Sequence, residues 1–246
     1  MTARTSGWPH APIENATALT RSNDQREKDE WRDIETSGTK REPELYSATD
    51  PSSVDLLVAT TNAGKLREIR HVLAGLPLRL LSLADVAGVP EPEETGRTFA
   101  ENALLKARYY AAASGLATVA EDSGLVIDAL GGRPGVQSAR YPGATYPDKF
   151  KGLYRELTSH PRPWTARFVC SLAFVSGSSG AFFACEATVE GEIASEPLGE
   201  FGFGYDPIFF YPPYGTTLGN VADERKLAVA HRGKAFRQFR EWLASR

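Results

Sequence analysis

From residue 54 onward the chain alternates short apolar runs with segments of helical period. Residues 54–59 (VDLLVA) read as a strand, and Leu66, Ile69, Val72 and Leu73 then recur at the spacing of one helix face. Residues 78–83 form a second strand-like run. Residues 98–113 (TFAENALLKARYYAAA) read as a helix, with Thr98 and Glu101 spaced as a capping box. A short buried strand is expected over 116–120, a helix over about 147–159, and strands over 166–175, 181–190 and, more weakly, 191–193. A hairpin turn at 177–180 would join the long strands. Ala235, Phe236, Phe239, Trp242 and Leu243 close the chain at helical spacing. Strand and helix alternate in the first half and an antiparallel ribbon follows, so the expected class is mixed α/β.

Residues 1–53 differ in kind. NDQREKDE (23–30) mixes charges and TSGTKREP (36–43) is polar and rich in turn formers, so too little apolar surface is available to offset the entropy of ordering. The expected organisation is a flexible extension over 1–53, with a transient helix near 28–34, and a folded domain over 54–246.

The apolar pattern is interrupted most sharply in AEDSGLVIDALGGRPG (120–135), where two acids and a serine precede a glycine. Buried acids are costly unless a cation, a metal or a proton satisfies them. Taken alone, the stretch reads as a strand-to-turn junction in which Asp122 and Ser123 bond their own backbone. The same duality runs through the other polar interruptions. TTNAGK (60–65) lies between strand and helix and suits a phosphate cradle with Lys65 as its charge, or plain helix capping by Thr61 or Asn62. It lacks the first glycine of a P-loop. Glu101 is explained by capping, whereas Glu93 and Glu94 lie on the loop before the helix, either solvated or as metal carboxylates. GGRPGVQSARY (131–141) suits a loop close to a ligand or another subunit. GEFGFGYDPIFFY (199–211) interleaves glycines with aromatic rings, as a grip on a planar base does and as a packed loop also does. Lys226, His231, Arg232 and Lys234 gather charge before the last helix.

Composition narrows the partners. The 246 residues carry a formal charge of −3, without the broad basic field of a nucleic-acid binder, so a nucleic-acid polymer is not an expected partner. No apolar run reaches the roughly 18–20 residues of a membrane span. Two cysteines, Cys170 and Cys185, both in apolar runs and without a secretory leader, point to small buried hydrophobes in the cytoplasm.

Five of these segments, ATTNAGK (59–65), EETGRTFAENALLKA (93–107), EDSGLVIDALGGRPGVQSARY (121–141), GFGYDPIF (202–209) and AHRGKA (230–235), resemble in that order the motifs of the inosine/xanthosine triphosphate pyrophosphatases. The resemblance spans about residue 54 to the C-terminus. It implies a two-lobed α/β fold around a long mixed sheet, a homodimer, and a nucleotide cleft between the lobes. It also implies Mg²⁺-dependent hydrolysis of dITP, ITP or XTP to the monophosphate and pyrophosphate. Asp122 matches the catalytic acid that also holds metal, and Glu93 the partner carboxylate, with Glu94 beside it leaving the register open. Thr60, Thr61, Asn62, Ala63, Gly64, Lys65, Ser123, Phe203, Gly204, Tyr205, Asp206, Lys226, His231 and Arg232 match the substrate-binding positions. In that scheme Lys65 holds the triphosphate with Lys226 in reach, Phe203 or Tyr205 stacks on the base, and Arg232 with a suitably protonated His231 supplies donors to a 6-oxo group. Two positions depart from the pattern: Glu121 replaces the usual aspartate before the catalytic acid, and Ala230 the usual serine before His-Arg. A Maf-like pyrophosphatase and a non-catalytic nucleotide-binding regulator are the alternative readings.

Overall fold

The computed structural model describes residues 54–86, 88–177 and 182–246; the extension expected over 1–53 and most of the turn expected at 177–180 lie outside them. Among the described residues seven strands make one sheet in the order β2-β1-β3-β4-β5-β6-β7. They are β1 (Val54–Val58), β2 (Leu78–Ser82), β3 (Ala117–Ile127), β4 (Thr165–Val175), β5 (Phe182–Ile193), β6 (Phe209–Tyr211) and β7 (Thr216–Thr217). β1 is parallel to β2 and β3, and every pairing from β3 to β7 is antiparallel. The helices are α1 (Ala63–Leu73), α2 (Phe99–Ser114), α3 (Tyr146–Leu157), α4 (Asp223–Val229) and α5 (His231–Ala244). None among the described residues is long and apolar enough to cross a membrane.

Successive side chains of a strand point to opposite faces, and here both faces are covered. Leu56 and Val58 of β1 pack with Ile69, Val72 and Leu73 of α1 and with Phe236 and Phe239 of α5. Leu57, between them in sequence, packs instead with Ala103, Ala107 and Tyr110 of α2. A third cluster joins Leu125 and Ile127 at the far end of β3 to Phe150, Leu153 and Leu157 of α3. Coverage of both faces is why VDLLVA reads as a continuous apolar run rather than an alternating one.

One expectation is overturned. EDSG is not a turn after a short strand: β3 runs unbroken from Ala117 to Ile127 and pairs with β4 along its length. Gly124 is required there by close approach. A Cβ on it would lie 2.3 Å from Ser138 Oγ and 2.7 Å from the Gly135 carbonyl oxygen, so the 131–141 loop can cross the strand only over a bare backbone. Ser138 uses that proximity to accept the Leu125 N–H at 2.9 Å. The weak strand expected at 191–193 is the end of the single long β5.

Candidate active site

A cavity of about 400 Å³ opens where the sheet loses a strand. β1 pairs with β3 only as far as Val58 opposite Val119, and the Ala59 N–H makes the last bond, to Val119 O at 2.9 Å. Beyond Val119 that edge of β3 borders the cleft, so Glu121 and Asp122 both line the cavity although they point to opposite faces of the sheet.

Glu121 turns toward α1 and α5. Its Oε1 lies 2.8 Å from Lys65 Nζ and 3.3 Å from Arg232 Nε, and its side chain is 1% exposed. Cys170 Sγ lies 3.5 Å from Oε2. Burial opposes its ionisation, but Arg232 and Lys65 outweigh burial and hold the carboxyl well below the usual range. Arg232 is the hub of this face. Its Nη1 reaches Glu68 at 2.6 Å and its Nη2 donates to Ser123 Oγ at 2.8 Å, so three of the five guanidinium N–H groups are engaged. Lys226 is buried between Glu68 (2.8 Å) and Asp206 (3.0 Å), and those acids raise its pKa against the pull of burial. Asp206 also accepts the Phe203 N–H at 2.8 Å and so folds the GFGYD loop onto Lys226. Gly202 permits this at φ +72, because a Cβ there would lie 2.2 Å from Asp206 Oδ2.

Asp122 turns toward α2. Asn102 Nδ2 donates to its Oδ2 at 3.2 Å, and Lys106 Nζ lies 3.3 Å from Oδ1. Burial raises the Asp122 pKa; Lys106 opposes the shift, and the neighbouring charges of Glu121 and Glu94 add to it. Lys106 Nζ is also 2.6 Å from Glu94 Oε1, while Arg140 Nη2 lies 2.5 Å from Glu94 Oε2. Glu94 is therefore the carboxylate that faces Asp122, and it lines the cavity. Glu93, expected as the partner carboxylate, is exposed and off the cavity wall, since adjacent residues of an extended loop point opposite ways.

The remaining positions divide cleanly. Thr60, Thr61, Asn62 and Lys65 line the cavity. Asn62 is also the cap of α1, its Oδ1 accepting the Lys65 N–H at 3.0 Å. Ala63 and Gly64 are not on the wall, but a Cβ on Gly64 would lie 2.8 Å from Phe203 Cδ1, so this glycine sets how close Phe203 comes. Gly204 lies on the wall.

Two positions are more enclosed than the rest. Tyr205 is 4% exposed, its hydroxyl donates to Ser138 O at 2.7 Å, and its ring meets Tyr146 edge-on at 5.3 Å, so it belongs to the packed wall, whereas Phe203 of the same loop is half-buried at the cavity. His231 is buried and stacked on Phe168 at 4.9 Å, its Nδ1 without a hydrogen-bond partner. Burial first, then the Arg232 charge, pushes its pKa well below the ordinary imidazole range, so it stands neutral and offers one donor and one acceptor.

The residues the sequence reading missed are Glu68, Glu94's partner Arg140, and the pair Asn102 and Lys106. Phe99, Asn102, Ala103, Lys106, Ala107 and Tyr110 make up the buried stripe of α2 at intervals of three and four residues. An amide and a lysine inside an otherwise apolar stripe are the signal that finds them.

Residues 56–242 match the model of the Ham1 family. The chain belongs to the Ham1 family. It is similar to the dITP/XTP pyrophosphatase of Geobacter sulfurreducens, 47% identical over 191 residues that cover 76% of this chain and 96% of the relative. The dITP/XTP pyrophosphatase of Thermus thermophilus is likewise 47% identical, covering 76% and 90%. Among solved structures, the HAM1 protein of Coxiella burnetii superposes with a TM-score of 0.74 at 38% identity, over 78% of this chain and all of that one. A nucleoside-triphosphatase / dITP/XTP pyrophosphatase of Mycobacterium abscessus does so with a TM-score of 0.62 at 39% identity, over 76% and 97%. The Ham1 match and the described cleft cover the same part of the chain.

Divalent metal fits the acidic end. Among the described residues no three His, Cys, Asp or Glu side chains gather as a ligand cage. Mg²⁺ needs none, since it keeps several waters and is held by one or two carboxylates together with substrate phosphates. Glu94 and Asp122, already drawn to one cation, are a donor set of that kind.

Proposed function

We propose that this chain hydrolyses non-standard purine nucleoside triphosphates, dITP, ITP and XTP, to the monophosphate and pyrophosphate, with Mg²⁺, as a cytoplasmic homodimer. One observation supports this most strongly: a single cleft joins a carboxylate pair, Asp122 and Glu94, to a buried polar wall of Arg232 and neutral His231 beside Phe203, in a chain whose relatives carry that activity in their names. Mg²⁺ held by Asp122 and Glu94 would neutralise phosphate charge and polarise the phosphorus under attack.

The chain's own residues do the rest. Asp122, oriented by Asn102, accepts a proton from the attacking water. Lys65, Lys106 and Arg140 stand at the cavity as counter-charges for the triphosphate. The N–H groups that Arg232 has left over are donors in every protonation state, so a 6-oxo group is satisfied there while a 6-amino group presents donor against donor. His231 contributes by tautomer rather than by charge. Phe203, half-buried on the wall, covers the ring.

The test is to identify the products from ITP with and without Mg²⁺. IMP and pyrophosphate formed only with the metal agree with the proposal; IDP and phosphate, or no turnover, refute it.

A further inference from the structure

Among the described residues, Lys106 is the one group bound to both carboxylates of the acidic end. Its Nζ lies 2.6 Å from Glu94 Oε1 and 3.3 Å from Asp122 Oδ1. The second oxygen of each acid is held by a separate donor, Arg140 for Glu94 and Asn102 for Asp122. The two acids are thus aimed so that one oxygen of each meets at a single ammonium. The side chains of Lys106, Glu94 and Asp122 are only 11%, 14% and 11% exposed, so the charges depend largely on one another.

The root of the lysine does not move readily. Ala103 and Ala107, three residues before it and one after, are fully buried against the sheet, which pins this turn of α2. The ammonium itself is a compact charge at the end of a flexible four-carbon stem, able to leave its partners by side-chain rotation alone.

We propose that Lys106 is a stand-in cation: it holds Glu94 and Asp122 together until a divalent ion displaces it from the shared oxygens, and the freed ammonium then turns to the phosphates of the incoming nucleotide. This rests on the reading of Glu94 and Asp122 as the metal carboxylates. A dication and an ammonium on the same oxygens repel each other, so metal affinity is set partly by what it costs to remove the lysine. Metal entry and the release of a phosphate donor become one event. The nucleotide-free protein therefore binds metal weakly, and the triphosphate, by giving Lys106 a new partner, tightens it. Lys106 acts here as a positioning residue whose displacement couples the two ligands.

The test uses the full chain without nucleotide and Mn²⁺ as the probe, titrated by calorimetry into wild type, Lys106→Met and Asp122→Asn. Lys106→Met is expected to bind Mn²⁺ about ten-fold more tightly than wild type or better, the size of an ordinary coupling between sites, while Asp122→Asn loses binding. Equal or weaker binding by Lys106→Met, with Asp122→Asn still deficient, overturns the stand-in role and leaves the metal reading in place. Binding by Asp122→Asn equal to wild type overturns the metal reading and the proposal together. A second measurement needs no variant: acylation of Lys106 in wild type, followed by mass spectrometry, is expected to rise when Mn²⁺ is added, and unchanged labelling contradicts displacement.

Discussion

Glu121 and Lys65 form an ion pair of 2.8 Å, with the glutamate side chain 1% exposed and the lysine 18%. The same carboxylate also meets Arg232, so one buried acid ties the start of α1 to the start of α5. Removing its charge leaves two cations without their shared partner, a situation that typically costs about 3–5 kcal/mol. Glu121→Gln is expected to lower stability by roughly that amount in urea unfolding, and Glu121→Asp, which keeps the charge one methylene shorter, by less. An unaltered midpoint for Glu121→Gln would show that the pair carries no net stability.

Asp122 makes the opposite case, because burial already disfavours its charge. Asp122→Asn is expected to fold with a melting temperature equal to wild type or above it while pyrophosphate release falls by about 10² to 10⁴ or more, the range of a general base. Loss of activity together with loss of fold would assign Asp122 a structural role instead.

His231 has a folded-state pKa well below its unfolded value of 6.5, so the unfolded chain binds the proton more tightly. Its contribution to stability is complete above pH 6.5 and is lost as the pH falls from there toward the folded pKa, with a slope of up to about 1.4 kcal/mol per pH unit. Glu121 and Glu68 are also depressed, but from 4.5, so their contribution is lost only below that value. Urea unfolding between pH 7 and 5 is expected to show a stability decline that His231→Asn flattens. A decline identical in the variant would place its origin elsewhere.

Gly64 sits in the first turn of α1, where alanine ordinarily stabilises a helix by about 0.5–1 kcal/mol. Here the added Cβ would be 2.8 Å from Phe203 Cδ1. Gly64→Ala is therefore expected to keep or raise the melting temperature and yet raise KM for ITP several-fold by displacing the ring. An unchanged KM would remove Phe203 from the substrate wall.

Ala230 occupies the N-cap position of α5 in extended conformation without a side-chain cap. Ala230→Ser, which supplies the missing acceptor, is expected to raise stability by about 1 kcal/mol in the same unfolding assay. No gain would mean that the neighbouring packing already satisfies that helix end.

The extent to which the sequence exposed all this depends on the interaction concerned. Periodicity located β1, β2 and β4 and the helices over 66–73 and 98–113, because apolar burial and the Thr98–Glu101 capping box are local in the chain. EDSG misled because its acids are satisfied by Lys65, Lys106 and Arg232, the last of them 111 residues away from Glu121, so nothing nearby announces that they lie within a strand. Glu68 escaped for the same reason: it is buried only because Arg232 and Lys226 come to it from the other end of the chain. Tyr205 and Phe203 are alike in sequence, and it takes the distant Ser138 carbonyl and the Tyr146 and Phe150 rings to show which ring is spent on packing.

Discrimination at the base decides the proposed function. The direct measurement is kcat/KM for ITP and for ATP, side by side, with the wild-type chain and Mg²⁺. The donor-rich wall around Arg232 predicts a preference for ITP of about 10² or more, as a site built to pair a polar group rejects the analogue that cannot pair. Equal values for the two nucleotides would contradict it.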